Sequence, residues 1–152
     1  MLAMSKKHTE TIDSKLKTAW QVVSRMYNAE ASLHDATIAM GHFLLNVDSH
    51  EGSYASDIAP QLGTESTSLS RIIQSLEEKK MIVRIPDEMD GRRMKIMLTE
   101  KGKAEKEIAK NTVRNFNHMV ELKIGKEKIT EFFKTLDSIT ELAEERNKLI
   151  KQ

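Results

Sequence analysis

The sequence predicts a mainly α-helical chain with one small β-hairpin, set between two helical arms. Three observations carry this. Apolar residues recur at steps of three and four over residues 10–48 and again over 103–150. Nearly all the turn signals, and both prolines, fall between 53 and 102. Within that middle zone a β-branched run, a glycine-containing turn and a second apolar run follow two short helical patterns. The boundaries that follow are 8–48 for the N-terminal helices, 53–102 for a central module and 103–150 for the C-terminal helices.

Composition narrows the function classes. A chain of 152 residues suits one domain, or one domain with extra arms. Its 24 Lys+Arg nearly cancel its 23 Asp+Glu, which excludes a globally cationic nucleic-acid coat but allows a local basic patch. With no cysteine there is no disulfide, thiolate-ligated zinc, iron–sulfur centre or thiol chemistry. No apolar run follows the charges of residues 1–7, and no apolar stretch approaches the roughly 20 residues of a membrane span. A soluble cytoplasmic protein with no membrane association is expected.

The first arm carries Ile12, Leu16, Ala19, Trp20, Val23, Met26 and Tyr27 along one helical stripe. A second helical run has Leu33, Ala36, Met40, Phe43, Leu44 and Val47, and residues 48–53 end it. In the centre, two helices crossing at a tight turn need residues at fixed offsets. Ala59 is small enough for the crossing, and Gly63, four residues on, tolerates the turn's backbone angles. Ile58, Leu62, Leu69, Ile72, Ile73 and Leu76 tie the pair together. Thr64 is placed to cap the second helix, with Thr67 three residues on. Pro60 lacks an N–H and crowds the preceding turn, so the first helix is expected to start late, near Ser56, or to be distorted.

The second helix opens with Ser66, Thr67 and Ser68, followed by Ser70 and Arg71. Short hydroxyls at a helix N-terminus suit phosphate oxygens and base edges, because backbone N–H groups and the helix dipole point the same way. Arg71, about one turn on, has the reach for a guanine edge or a phosphate. Residues 82–85 then read as a strand, 87–91 as a turn and 92–98 as a returning strand. Arg92, Arg93 and Lys95 concentrate charge at this hairpin, where a cation can enter the minor groove of DNA. Asp90 is placed to orient the Arg92 guanidinium by a bidentate pair. Ser53 and Arg84 complete the set of candidate DNA contacts.

After the hairpin, a helix over about 100–123 carries Ala104, Ile108, Val113, Phe116, Met119 and Val120, and Gly125-Lys126 ends it. The last helix places Ile129, Phe132, Leu136, Ile139 and Ala143 at 3-4-3-4 spacing. Such a seam packs either within the chain or against a second copy. Long arms beside a small module have little to bury against alone, and pairing about a two-fold axis solves this. Ile12, Leu16, Trp20, Phe132, Leu136 and Ile139 are the dimerisation candidates.

Residues 90–102, DGRRMKIMLTEKG, resemble the DxRxxxxxLTxxG signature of the MarR (multiple antibiotic resistance regulator) family. Residues 69–72 and 76–82 are similar to that family's recognition helix and its exit. The resemblance implies a winged helix-turn-helix flanked by N- and C-terminal helices that intertwine in a homodimer. It also implies a pseudo-palindromic operator, a wing role for Asp90 and Arg92, and a major-groove role for residues 66–71. The chain departs from the family at Gly91, often Arg there, at Lys80, often Gly, and at Pro60; Arg93 is placed to compensate for Gly91.

The resemblance further implies a small aromatic or anionic effector, for which nine methionines offer only generic support. Glu30 and His34 stand four apart, but no cluster with His42 or His118 completes a metal site, so no metal and no cofactor are expected. No phosphate loop, nucleophile elbow or paired carboxylates suggest an enzyme, and no catalytic residue is assigned. Two classes remain: a DNA-binding regulator, with double-stranded DNA and a second copy as partners, and a winged-helix protein-interaction module without specific DNA binding. The cationic hairpin beside a hydroxyl-rich helix favours the regulator.

Overall fold

Residues 10–63 and 65–151 are described by a computed structural model. Helix α1 (Ile12–Ser32) opens on a capping box, in which Thr11 and Ser14 exchange side-chain-to-backbone hydrogen bonds. Its end is followed by Asp35 in the left-handed region, φ 55°. Helix α2 (Ile38–Asn46) starts only after this break. Thr37 Oγ1 accepts the Met40 N–H at 3.2 Å, and Asn28 Oδ1 accepts that of Ile38 at 2.9 Å. Leu33 and Ala36, expected on the second helix, therefore lie in the connection, and so does His34. Glu30 and His34 do not share a helix face as their spacing suggests.

The middle of the chain follows as β1 (Ser53–Tyr54), α3 (Ala55–Leu62), α4 (Ser66–Glu78), β2 (Ile82–Pro86) and β3 (Met94–Leu98). The sheet is antiparallel in the order β1-β3-β2. Tyr54 faces Lys95, and Val83 faces Met97. The returning strand starts at Met94, not at Arg92 as its sequence suggests. Arg93 N–H instead closes the turn on the Asp90 carbonyl at 2.9 Å.

One core holds these elements. Phe43 and Leu44 from α2, Ile58 from α3, Leu76 from α4 and Met81, Ile82 and Ile96 around the sheet are almost fully buried. Ala59, Leu62 and Ile72 pack against its edge. Replacing a side chain as buried as Phe43 by alanine costs about 3–5 kcal/mol in such a setting.

Helix α5 (Glu100–Ile124) and helix α6 (Lys126–Ile150) meet at Gly125, φ 92°. The chain divides into two units, the first ending at Thr112 and the second beginning at Val113. The core belongs to the first. In the second, α6 buries no residue, and Phe132, Phe133, Leu142 and Leu149 are all more than half exposed. Among the described residues no helix is long and apolar enough to cross a membrane.

Candidate nucleic-acid interface

The turn between α3 and α4 is built on Gly63, whose φ of 57° and ψ of 31° end α3 in the left-handed conformation. A Cβ is strained at such angles, which is why glycine serves there. Helix α3 starts at Ala55, one residue before the expected start, and absorbs Pro60 on its exposed side. Thr64, expected as a cap and a DNA contact, lies outside the described residues. The N-cap of α4 is Glu65, whose side chain makes no capping bond. Ser66, Thr67, Ser68, Ser70 and Arg71 are all exposed, while Leu69, Ile73 and Leu76 on the other face anchor α4 in the core. The first two turns of α4 thus present hydroxyls and one guanidinium outward. The Ser70 hydroxyl donates back to the Ser66 carbonyl at 3.0 Å.

The exit of α4 fixes its angle to the sheet. Lys80 takes φ 57°; its N–H bonds to the Glu77 carbonyl, and the Met81 N–H to that of Leu76. This is a Schellman end with lysine in the left-handed position. Thr99 then locks the exit to the start of α5. Its hydroxyl donates to the Lys80 carbonyl at 2.7 Å and accepts the Gly102 N–H at 3.0 Å. A Cβ on Gly102 would come 1.9 Å from the Met81 carbonyl oxygen, so that position admits only glycine without a shift of backbone. The Leu98-Thr99 and Gly102 spacing noted in the sequence is this junction.

The three-stranded sheet and its hairpin, or wing, carry the remaining candidates, in unlike situations. Ser53 sits in β1, half-buried, with its Oγ accepting the Asp48 N–H at 2.9 Å. The N–H groups of Glu51 and His50 hold the Asp48 carboxyl below its usual range. Arg84 forks onto Glu77 of α4 with two 2.8 Å bonds, which raise its pKa further, so it braces wing to helix. Lys95 is half-buried on β3. Asp90 does not pair with the Arg92 guanidinium: its Oδ1 accepts the Arg92 backbone N–H at 3.1 Å. The carboxylate is spent on closing the turn, and among the described residues no ion pair holds Arg92.

The roles of Tyr54 and Glu77 depend on partners distant in the sequence. The phenol of Tyr54 donates to Asp87 Oδ2, and the Arg93 guanidinium lies 3.8 Å from the centre of its ring. This bond and the N–H groups of Asp90 and Met89 hold the Asp87 carboxyl below its usual range; the same bond raises the Tyr54 phenol. A two-residue strand carries no periodicity, so nothing in the sequence marks Tyr54 as part of the sheet.

Residues 42–102 match the family model of a winged helix DNA-binding domain. No curated protein matches the chain. Solved structures do. The transcriptional regulator SlyA is 21% identical, with 90% of this chain and 96% of that chain covered at a TM-score of 0.79. S. aureus MepR in a DNA complex is 22% identical, over 87% and 98%, at 0.80. A MarR-family regulator from Rhodococcus sp. RHA1 is 22% identical, over 89% and 97%, at 0.72. The chain has the MarR-type winged-helix fold. Within that fold, α4 is the second helix of the helix-turn-helix and the β2–β3 hairpin is the wing. The dimerisation candidates lie on the flanking helices: Ile12, Leu16, Trp20 and Phe132 exposed, Leu136 and Ile139 half-buried. Trp20 also stacks on His42, ring centres 6.4 Å apart.

Proposed function

We propose that the chain is a homodimeric, sequence-specific DNA-binding transcriptional regulator that represses from a pseudo-palindromic operator. The observation that carries this is the exposed face of the first two turns of α4, with Ser66 to Ser68 and Arg71 outward on a helix anchored by its opposite face. Backbone N–H groups and hydroxyls there meet phosphate oxygens, and Arg71 reads a base edge. Arg92, exposed at the wing tip, reaches the neighbouring minor groove. The winged-helix match over 42–102 and the DNA-bound structure of MepR support the same reading. The exposed apolar residues of α1 and α6 support a second copy as partner. A small aromatic or anionic effector that releases DNA completes the proposal, on the strength of the family resemblance, and the protein works in the cytoplasm.

Hydroxyl-radical footprinting on DNA upstream of the protein's own gene tests it. Two protected segments about 10 bp apart, related by dyad symmetry, are expected. Uniform or absent protection there and on genomic fragments selected for binding would leave the winged helix to a protein partner.

A further inference from the structure

We infer that Tyr54 is a positioning residue for DNA binding, which holds the wing so that Arg92 rather than Arg93 is presented to the duplex. This rests on the DNA-binding reading above. The wing loop lies beyond the last paired residues of β2 and β3, Pro86 and Met94, and a two-stranded hairpin is marginal alone. Tyr54, at the end of β1, reaches across from the third strand and donates its phenol proton to Asp87, the first residue of the loop.

That carboxylate works at both ends. While Oδ2 takes the phenol, Oδ1 accepts the N–H of Met89 at 2.9 Å and of Asp90 at 2.8 Å. Asp90 in turn accepts the Arg92 N–H at 3.1 Å, and Asp87 N–H bonds to the Arg93 carbonyl at 2.9 Å. A continuous set of hydrogen bonds therefore runs from the phenol to the backbone of Arg92. The ring does the second half of the work. Its face takes the Arg93 guanidinium at 3.8 Å, with the Lys95 ammonium at 5.8 Å, distances at which the ring quadrupole attracts a cation. Two adjacent arginines are thus distinguished: both are exposed, but the Arg93 guanidinium is held against the Tyr54 ring, whereas among the described residues no ion pair or ring holds that of Arg92.

The test is anisotropy of a fluorescein-labelled duplex from upstream of the gene, with a scrambled duplex beside it, from about 50 mM salt upward. Tyr54→Phe keeps the ring and removes the proton donated to Asp87. It should weaken binding about fivefold, the worth of one hydrogen bond, with an unchanged circular dichroism spectrum. In the Arg92→Ala background the same change should cost less than twofold, since the group being positioned is gone. Tyr54→Leu, which also loses the ring, should bind more weakly than Tyr54→Phe. An unchanged affinity for Tyr54→Phe, or the same fivefold loss with and without Arg92, would overturn the role assigned to Tyr54 while leaving DNA binding intact. A wild-type protein that binds neither duplex at low salt would instead overturn the DNA-binding reading, and the positioning role with it.

Discussion

Arg92 and Arg93 are neighbours in sequence with different physical fates, and variants should separate them. Arg92 carries no ion pair among the described residues, and Arg92→Ala should weaken binding to every duplex by about 1–3 kcal/mol and lower the salt slope by about one. Arg71→Ala should instead relax sequence preference more than it lowers affinity for a scrambled duplex, a difference read from paired anisotropy titrations. The Tyr54–Asp87 bond makes a pH prediction. The Asp87 carboxyl is depressed, so its contribution is complete above the ordinary carboxylate value near 4 and is lost as pH falls through its lower folded value. The Tyr54 phenol is raised, so its contribution is complete below about 10 and is lost as pH rises through its higher folded value. Phenolate absorbance should show Tyr54 ionising late, and Asp87→Asn should bring that ionisation back toward the ordinary tyrosine value.

At the scale of elements, the exit of α4 makes the firmest stability predictions. Lys80→Gly should raise the urea midpoint by the equivalent of about 1 kcal/mol, because lysine is held at φ 57° where a Cβ is strained. Gly102→Ala should lower it by about 3 kcal/mol, since the added methyl meets the Met81 carbonyl in close-packed surroundings. How much of this was legible in the sequence follows the range of the interactions. The helices of the central module, the Gly63 turn and the strand after Lys80 announce themselves through periodicity and backbone chemistry within a few residues. The break before α2 does not: it depends on Asn28 reaching Ile38 and on Asp35 turning left-handed, and a lone Leu33 looks like one more helical position. Strand β1 escapes for the same reason, being two residues that are a strand only because β3 is there to pair with. Of the candidate site, the exposed hydroxyls and Arg71 were legible because outward and inward residues alternate along one helix. Arg84 was not, since its partner Glu77 lies on another element.

At the scale of the whole molecule, two long helices lack what the core has. Neither α1, of 21 residues, nor α6, of 25, buries a side chain, though both carry apolar stripes. A second copy of the chain supplies the missing surface in the proposed function. Leu136→Glu should then convert a dimer to a monomer in sedimentation velocity, and a wild-type monomer at micromolar concentration would remove the dimer from the account. The central claim, that this fold reads DNA, is tested most directly by the affinity of the wild-type protein for the upstream duplex as salt is raised. Binding that prefers this duplex over its scrambled counterpart, and falls steeply and linearly on logarithmic axes, is expected, with the slope counting phosphate contacts. Weak binding, indifferent to both sequence and salt, would contradict it.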